Sequence, residues 1–215
     1  MKQGIIFDLD GTLTDTLQDI AYFMNSILRE YGFPEHPVES YRYKVGKGMR
    51  NLVIHSLPEA ENKEPLITEC EEKLVEMYYE NPVLKTTLYD GIPELLRQLE
   101  ERKVPKGILS NKTHELVLQV VDILLSSYQF TSVWGAKQNY PRKPDPASVL
   151  ELAGELQCNP GDILYCGDSG VDMETARNAG MTAVGVLWGF RDREELEEHG
   201  GTYFVEKPEE ILNLL

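Results

Sequence analysis

Cationic side chains are scarce in this chain. Its 21 lysines and arginines stand against 36 aspartates and glutamates, a net charge of -15 at pH 7. Such a charge repels polyanions, so nucleic acid and anionic membrane surfaces are not expected partners. Cysteine is equally thin. Cys70, Cys158 and Cys166 are odd in number and carry no Cys-x-x-Cys spacing. That argues against a disulfide framework or a zinc site and for buried reduced thiols. No apolar run approaches the ~20 residues needed to cross a bilayer. The first acid arrives at Asp8, too early for a secretory signal, and a cytoplasmic protein is expected. Internal repeats and low-complexity tracts are also lacking, and no pattern speaks to oligomeric state. What remains is ordinary: 41% hydrophobic and 27% charged over 215 residues, enough for one large domain or a core with a smaller insert.

Against this background the run Phe7-Asp-Leu-Asp-Gly-Thr-Leu-Thr-Asp-Thr16 is the most informative segment. It follows Gly4-Ile5-Ile6-Phe7, which has the length and β-branched content of a buried strand. Asp8 then falls at a strand end, with Gly11 marking the turn beyond it. Residues two apart in an extended chain project to the same side, so Asp8 and Asp10 point together. Two adjacent carboxylates repel, and the arrangement is unfavourable unless a cation or a shared proton relieves it.

Residues 16–80 read as almost wholly helical. Leu17 to Tyr31 has helical apolar spacing and stops at Gly32 and Pro34, shorter helices cover about 38–43 and 48–56, and a long one runs from about 62 to 80. From residue 90 helices and strands alternate. Helices are predicted over Ile92–Arg102, Thr113–Ser127, Ala147–Leu156 and Val171–Asn178. Strands are predicted over Pro105–Leu109, Ser132–Trp134, Ile163–Cys166 and Ala183–Leu187, with small elements at Tyr203–Val205 and Pro208–Leu214. Such alternation predicts an α/β fold, a Rossmann-like parallel sheet with helices on both faces. The helical block interrupts it, so residues 1–14 and 86–215 are read as the core and 15–85 as an inserted all-helical cap, hinged near 13–17 and 81–90.

In an open parallel sheet, reactive groups gather at the carboxyl ends of the strands. Those ends carry Asp8 and Asp10, then Ser110-Asn111-Lys112, then Arg142-Lys143-Pro144-Asp145, then Gly167-Asp168-Ser169-Gly170-Val171-Asp172. Taken together, and in this order, these segments resemble the four motifs of the haloacid-dehalogenase superfamily, and the insert matches the position of that superfamily's helical cap. The resemblance spans residues 5–180. It implies that Asp8 is a nucleophile forming an aspartyl-phosphate and that Asp10 is the acid and base of the two half-reactions. It implies Mg²⁺ held by Asp8, Asp168 and the main-chain carbonyl of Asp10, with Asp172 either supporting the metal from behind or serving as a carboxylate in the first turn of the next helix. Ser110, the amide of Asn111 and Lys143 would steady the phosphoryl oxygens.

Within the superfamily the chain is most similar to phosphoglycolate-phosphatase-like members, through Val45-Gly-Lys-Gly48, Tyr89-Asp-Gly91-Ile, Gly107-Ile-Leu-Ser-Asn-Lys112 and Trp188-Gly-Phe-Arg191. A small phosphorylated metabolite is the implied partner. Pyrophosphatases, nucleotidases and phosphosugar mutases share much of this wording and stand as alternatives. A dehalogenase or phosphonatase is disfavoured by Asp10. A binding module without activity is disfavoured by the intact set of Asp8, Asp10, Ser110, Lys143 and Asp168.

One cap segment stands out. No acid occurs between Glu39 and Glu59, while Arg42, Lys44, Lys47 and Arg50 do. Lys44-Val-Gly46-Lys47-Gly48-Met-Arg50 therefore reads as a small anion site, with Gly46, Lys47, Gly48 and Arg50 setting substrate specificity. Other features take plainer readings: Asp145 as a helix cap before Pro146, His114 as a solvated helix-start residue, and Tyr22-Phe23 and Tyr78-Tyr79 as cap packing.

Overall fold

A computed structural model describes residues 3–215 of the chain. Residues 1 and 2, assigned to the core above, lie outside the described residues. Gly4–Phe7 forms β1, fully buried as its unbroken apolar run requires. Thr14–Asp15 is a short β2, and Leu17–Glu30 is α1. A 3-10 turn over Val38–Tyr43 leads to α2 at Met49–Ile54, and after a second such turn α3 covers Glu64–Glu80. Thr87–Leu88 is β3, which pairs antiparallel with β2. The two connections flanking the helical segment are thus tied into one two-stranded ribbon, a pairing absent from the sequence reading because two-residue strands carry no periodicity.

The α/β portion continues with α4 (Ile92–Glu101), β4 (Lys106–Thr113), α5 (His114–Leu124) and β5 (Ser132–Ala136). It ends with α6 (Ala147–Glu155), β6 (Ile163–Gly167), α7 (Gly170–Asn178), β7 (Thr182–Val186), α8 (Arg193–Glu198) and β8 (Tyr203–Val205). The six long strands form one parallel sheet in the order β5-β4-β1-β6-β7-β8. β1 is central, with β4 and β6 on its two sides, so the strand order turns there and the crevice outside its carboxyl end is where a ligand is expected. Apolar clusters lie on both faces, one built on Ile5, Phe7, Leu95 and Val184 and the other on Ile6, Leu152, Tyr165 and Met173. The inserted helices pack around their own cluster, including Phe23, Met24, Tyr41, Leu74 and Tyr78, joined by Leu116 and Phe190 from the α/β part.

One strand boundary needs correction. β4 does not stop at Leu109 but runs through Ser110-Asn111-Lys112 to Thr113, with a register irregularity against β5 after Leu109. A short polar run looks like a loop in sequence, yet here it stays extended beside β5 and is buried. The helix after Asp145 begins at Ala147, where the sequence places it, and Asp145 caps it: its Oδ1 accepts the Ala147 N–H at 2.9 Å. No helix among the described residues is long and apolar enough to cross a membrane.

Candidate active site

Asp8 sits directly after β1, its N–H donating to the Cys166 carbonyl at 2.9 Å. The chain then turns sharply. Gly11 takes φ +86°, where a Cβ would lie 2.2 Å from Asp168 Oδ2, so only glycine lets the turn approach β6. Thr12, Leu13 and Thr14 direct their N–H groups at the Leu9 carbonyl. Trp188, after β7, donates its indole N–H to the Thr12 carbonyl at 3.0 Å and holds the turn from the other side.

Lys143 is the hub of the buried charges. Its Nζ lies 2.9 Å from Asp8 Oδ1 and 2.7 Å from Asp172 Oδ1, and it donates to the Leu109 carbonyl at 3.1 Å. Burial works to lower its proton affinity, but Asp172 and Asp8 overcome that and hold it well above the ordinary lysine range. Burial pushes the Asp8 carboxyl up to about 7, with the charges of Asp172 and Asp10 adding and Lys143 opposing. Asp168 is also held well above its ordinary value, by burial first and then by Asp172 and Asp8. Its Oδ2 accepts the Phe190 N–H at 2.7 Å.

Asp8, Asp168 and Asp172 offer carboxylate oxygens within 4.8 Å of one another. Asp172 is committed elsewhere. Its Oδ1 takes Lys143, and its Oδ2 accepts Ser169 N–H at 3.2 Å and Ser169 Oγ–H at 2.6 Å in a capping box that starts α7. Asp8, which also meets Lys143, and Asp168 are left as the two carboxylates that can share a further ligand. Two buried carboxylates whose pKa values rise together fit an oxygen-preferring divalent ion, which would relieve the repulsion.

The Asp10 carboxylate is held by Lys112 Nζ at 3.0 and 3.2 Å, and that ammonium sits 5.0 Å from the Tyr78 ring centre of α3. Ser110 Oγ accepts the Lys112 N–H at 3.2 Å. Asn111 links three segments: its Nδ2 donates to the Gly46 and Lys143 carbonyls at 2.9 and 3.2 Å, and its Oδ1 accepts the Lys143 N–H at 2.9 Å. Asp8, Asp10, Ser110, Asn111, Lys143 and Asp168 all line one cavity, closed from above by Gly46, Gly48, Met49 and Tyr78.

The cap residues divide. Gly46 and Gly48 line this cavity, but Lys47 and Arg50 do not. Arg50 is paired with Glu64 and with Glu71 (3.0 Å to the latter), tying α2 to α3, and Lys47 lines an outer cleft with Lys44 and His55. The basic segment therefore spends Arg50 on the acidic helix beside it, an attraction that a count of charges along the chain cannot assign. Besides Lys112 and Lys143, the cavity is reached by Arg191, which also lines the outer cleft. His114 is likewise not solvated: its Nδ1 accepts the Gly135 N–H at 3.1 Å, and burial, with Lys137 adding, lowers its pKa. Tyr78 packs edge-on against Phe23 as expected, whereas Tyr22 is largely exposed.

Sequence reasoning missed Asp19. This buried carboxylate of α1 accepts the N–H groups of Leu84, Lys85 and Thr86 and the Thr86 hydroxyl, fastening the connection between α3 and β3 to α1. Only an acid inside an otherwise apolar helical face hinted at it.

Comparison with known proteins agrees with this geometry. The family model of haloacid dehalogenase-like hydrolases matches residues 5–186. A phosphoglycolate phosphatase of Aquifex aeolicus (strain VF5) is 31% identical over 211 residues, covering 98% of this chain and 95% of its own. One from Haemophilus influenzae (strain 86-028NP) is 30% identical, covering 97% and 96%. A crystal structure from Lactobacillus delbrueckii subsp. bulgaricus, provisionally described as a phosphoglycolate phosphatase, superposes with a TM-score of 0.93 at 28% identity, covering 100% of this chain and 98% of its own.

Proposed function

The chain belongs to the haloacid dehalogenase-like hydrolase family, and from that premise we propose that it is a Mg²⁺-dependent phosphatase. Its substrate is a small phosphate monoester, phosphoglycolate-like in size and charge, cleaved through an aspartyl-phosphate. Residues 1–14 and 86–215 act as the catalytic core and 15–85 as its cap, in a cytoplasmic setting. The observation that carries the reading is the buried cluster in which Lys143 contacts both Asp8 and Asp172 beside Asp168.

A carboxylate oxygen of Asp8 attacks phosphorus, and the bond from phosphorus to the ester oxygen breaks. Asp10 gives its proton to the departing alkoxide. In the second half-reaction Asp10 takes a proton from water as that water attacks the phosphoryl group, freeing phosphate and restoring Asp8. Lys143 and Ser110 balance charge on the phosphoryl oxygens, and Lys143 is itself oriented by Asp172. Asp8, Asp168 and the main-chain carbonyl of Asp10 would hold Mg²⁺, whose chemistry is to neutralise the repulsion between an anionic nucleophile and an anionic ester. The cap excludes water while the ester is bound.

Phosphate release from a panel of small phosphorylated metabolites, with and without Mg²⁺, tests this. Turnover should require the metal, vanish in Asp8→Asn and fall by about 10²–10⁴-fold in Asp10→Asn. Undiminished activity in Asp8→Asn, under conditions that exclude deamidation, would refute the covalent route.

A further inference from the structure

Three cations line the catalytic cavity: Lys112, Lys143 and Arg191. Lys143 is taken by Asp8 and Asp172, and Lys112 by Asp10. Arg191 is different. Its Nε lies 3.1 Å from Glu195 Oε2 in an ion pair and its Nη2 donates to the Val45 carbonyl at 3.0 Å, but its Nη1 is buried with no hydrogen-bond partner. The side chain is only 9% exposed. A buried guanidinium nitrogen without an acceptor is costly, and the cost is relieved when an anion arrives.

We propose that Arg191 is the specificity-determining residue of the site, using its free Nη1 to bind a carboxylate on the leaving group of a short phosphate ester. The proposal rests on the phosphatase reading above and deepens it. A planar guanidinium with unused N–H groups suits a carboxylate well. A second phosphate would ask for more donors than this cavity retains once Lys112 and Lys143 are engaged, and Ile20, Met49, Leu52 and Phe190 complete much of the wall without any. The anion-recognising cation thus comes from the loop after β7, in the core.

The same side chain also holds the cap. Arg191 Nη2 and Asn111 Nδ2 donate to the consecutive carbonyls of Val45 and Gly46, and the Arg191 guanidinium carbon lies 5.2 Å from the Tyr43 ring centre. Glu195, which holds Nε, is fixed in turn by the Gly170 N–H at 3.1 Å. One guanidinium therefore meets α8, the cap loop and the cavity, so carboxylate binding and cap closure draw on the same group.

The test must separate recognition from cap holding. Phosphoglycolate and 2-hydroxyethyl phosphate share a two-carbon leaving group and differ by a carboxylate against a neutral hydroxymethyl. Both are assayed with wild type, Arg191→Gln and Arg191→Lys in Mg²⁺. Wild type should prefer phosphoglycolate. Arg191→Gln should lower kcat/KM for it about 10- to 150-fold, mainly through KM, the effect of losing a hydrogen bond to a charged group. Because the same guanidinium holds Val45, 2-hydroxyethyl phosphate should lose some turnover too, but the ratio of kcat/KM for the two esters should fall by about tenfold or more, and Arg191→Lys should recover part of that ratio. Equal loss on both esters would show that Arg191 only holds the cap, and no loss, or no wild-type preference, would overturn the proposal outright. A wild type that hydrolyses neither ester removes the phosphatase reading for such substrates, and the inference falls with it. If the variants fail to fold, wild-type turnover of an aryl phosphate should be inhibited more strongly by phosphonoacetate than by propylphosphonate, and equal inhibition overturns the idea.

Discussion

Ionising Asp8 in the absence of a bound metal should destabilise the protein despite Lys143 beside it, and the effect can be measured apart from turnover. In the folded protein its carboxyl is raised from 3.8 to about 7, chiefly by burial. Below pH 3.8 both folded and unfolded chains hold the proton, and the residue contributes nothing. Between 3.8 and 7 the unfolded chain releases its proton first, so stability falls as pH rises through that window and stays lowered above it. Two of those decades lie above pH 5. At about 1.4 kcal/mol for each tenfold change in proton affinity, going from pH 5 to 8 in chelator should destabilise wild type by about 3 kcal/mol through this group alone. A chain of this size loses roughly 2–4 °C in Tm per kcal/mol.

The assay is thermal unfolding of wild type and Asp8→Asn at both pH values, in chelator and in millimolar Mg²⁺. Comparing the two proteins cancels the titration of groups remote from the site, while Asp168 and Lys143, which feel the Asp8 charge, shift with it. The wild-type Tm should drop relative to the variant by roughly 5–11 °C between pH 5 and 8 in chelator. Mg²⁺ should recover most of that drop in wild type and little in Asp8→Asn. A difference between the two proteins that is the same at both pH values would refute the electrostatic account of the site, as would an equal Mg²⁺ shift in both.

Other perturbations follow from contacts already described. Asp19→Ala deprives the buried Thr86 N–H and hydroxyl of a charged acceptor. At about 1.5–3 kcal/mol each, urea unfolding should show a loss of about 3–6 kcal/mol, and a change under about 1 kcal/mol contradicts the fastening role. Gly11→Ala would drive a Cβ to 2.2 Å from Asp168 Oδ2, so kcat should fall about 10²-fold through misplacement, whereas near-wild-type turnover would mean the turn can relax. Arg50→Ala should leave the ratio of kcat/KM for phosphoglycolate to that for 2-hydroxyethyl phosphate unchanged, because its partners are Glu64 and Glu71. A loss confined to the carboxylate ester would make Arg50 a ligand after all.

The sheet was legible because buried parallel strands write themselves as short apolar runs and the intervening helices as amphipathic repeats. Asp8, Asp10 and Asp168 were legible because each closely follows a strand, Lys143 because it stands in the loop beyond β5, and the structure brings all four to one cavity. Asp172 was read as support for the metal site or as a helix-start residue, and in the fold it joins the capping box that opens α7 while its other oxygen takes Lys143. The β2–β3 ribbon and the hub made by Asp19 could not be read. Both depend on residues about 65 to 75 positions apart that meet only after the inserted helices fold.

The specificity residues show why local charge misleads. Arg50 stands in a stretch free of acids, so in sequence it looks available, yet α3 brings Glu64 and Glu71 to it across the helix pair. Arg191 stands in the acidic run Arg191-Asp-Arg-Glu-Glu195 and looks neutralised. In the fold, Glu195 pairs with Nε, while Nη1 is left without an acceptor. Whether a cation is free is decided by tertiary pairing, one donor nitrogen at a time. A cation surrounded by acids in sequence can therefore be the one with a hydrogen bond still to give, and that places the selective contact on the core loop that already holds Asp168 through Phe190.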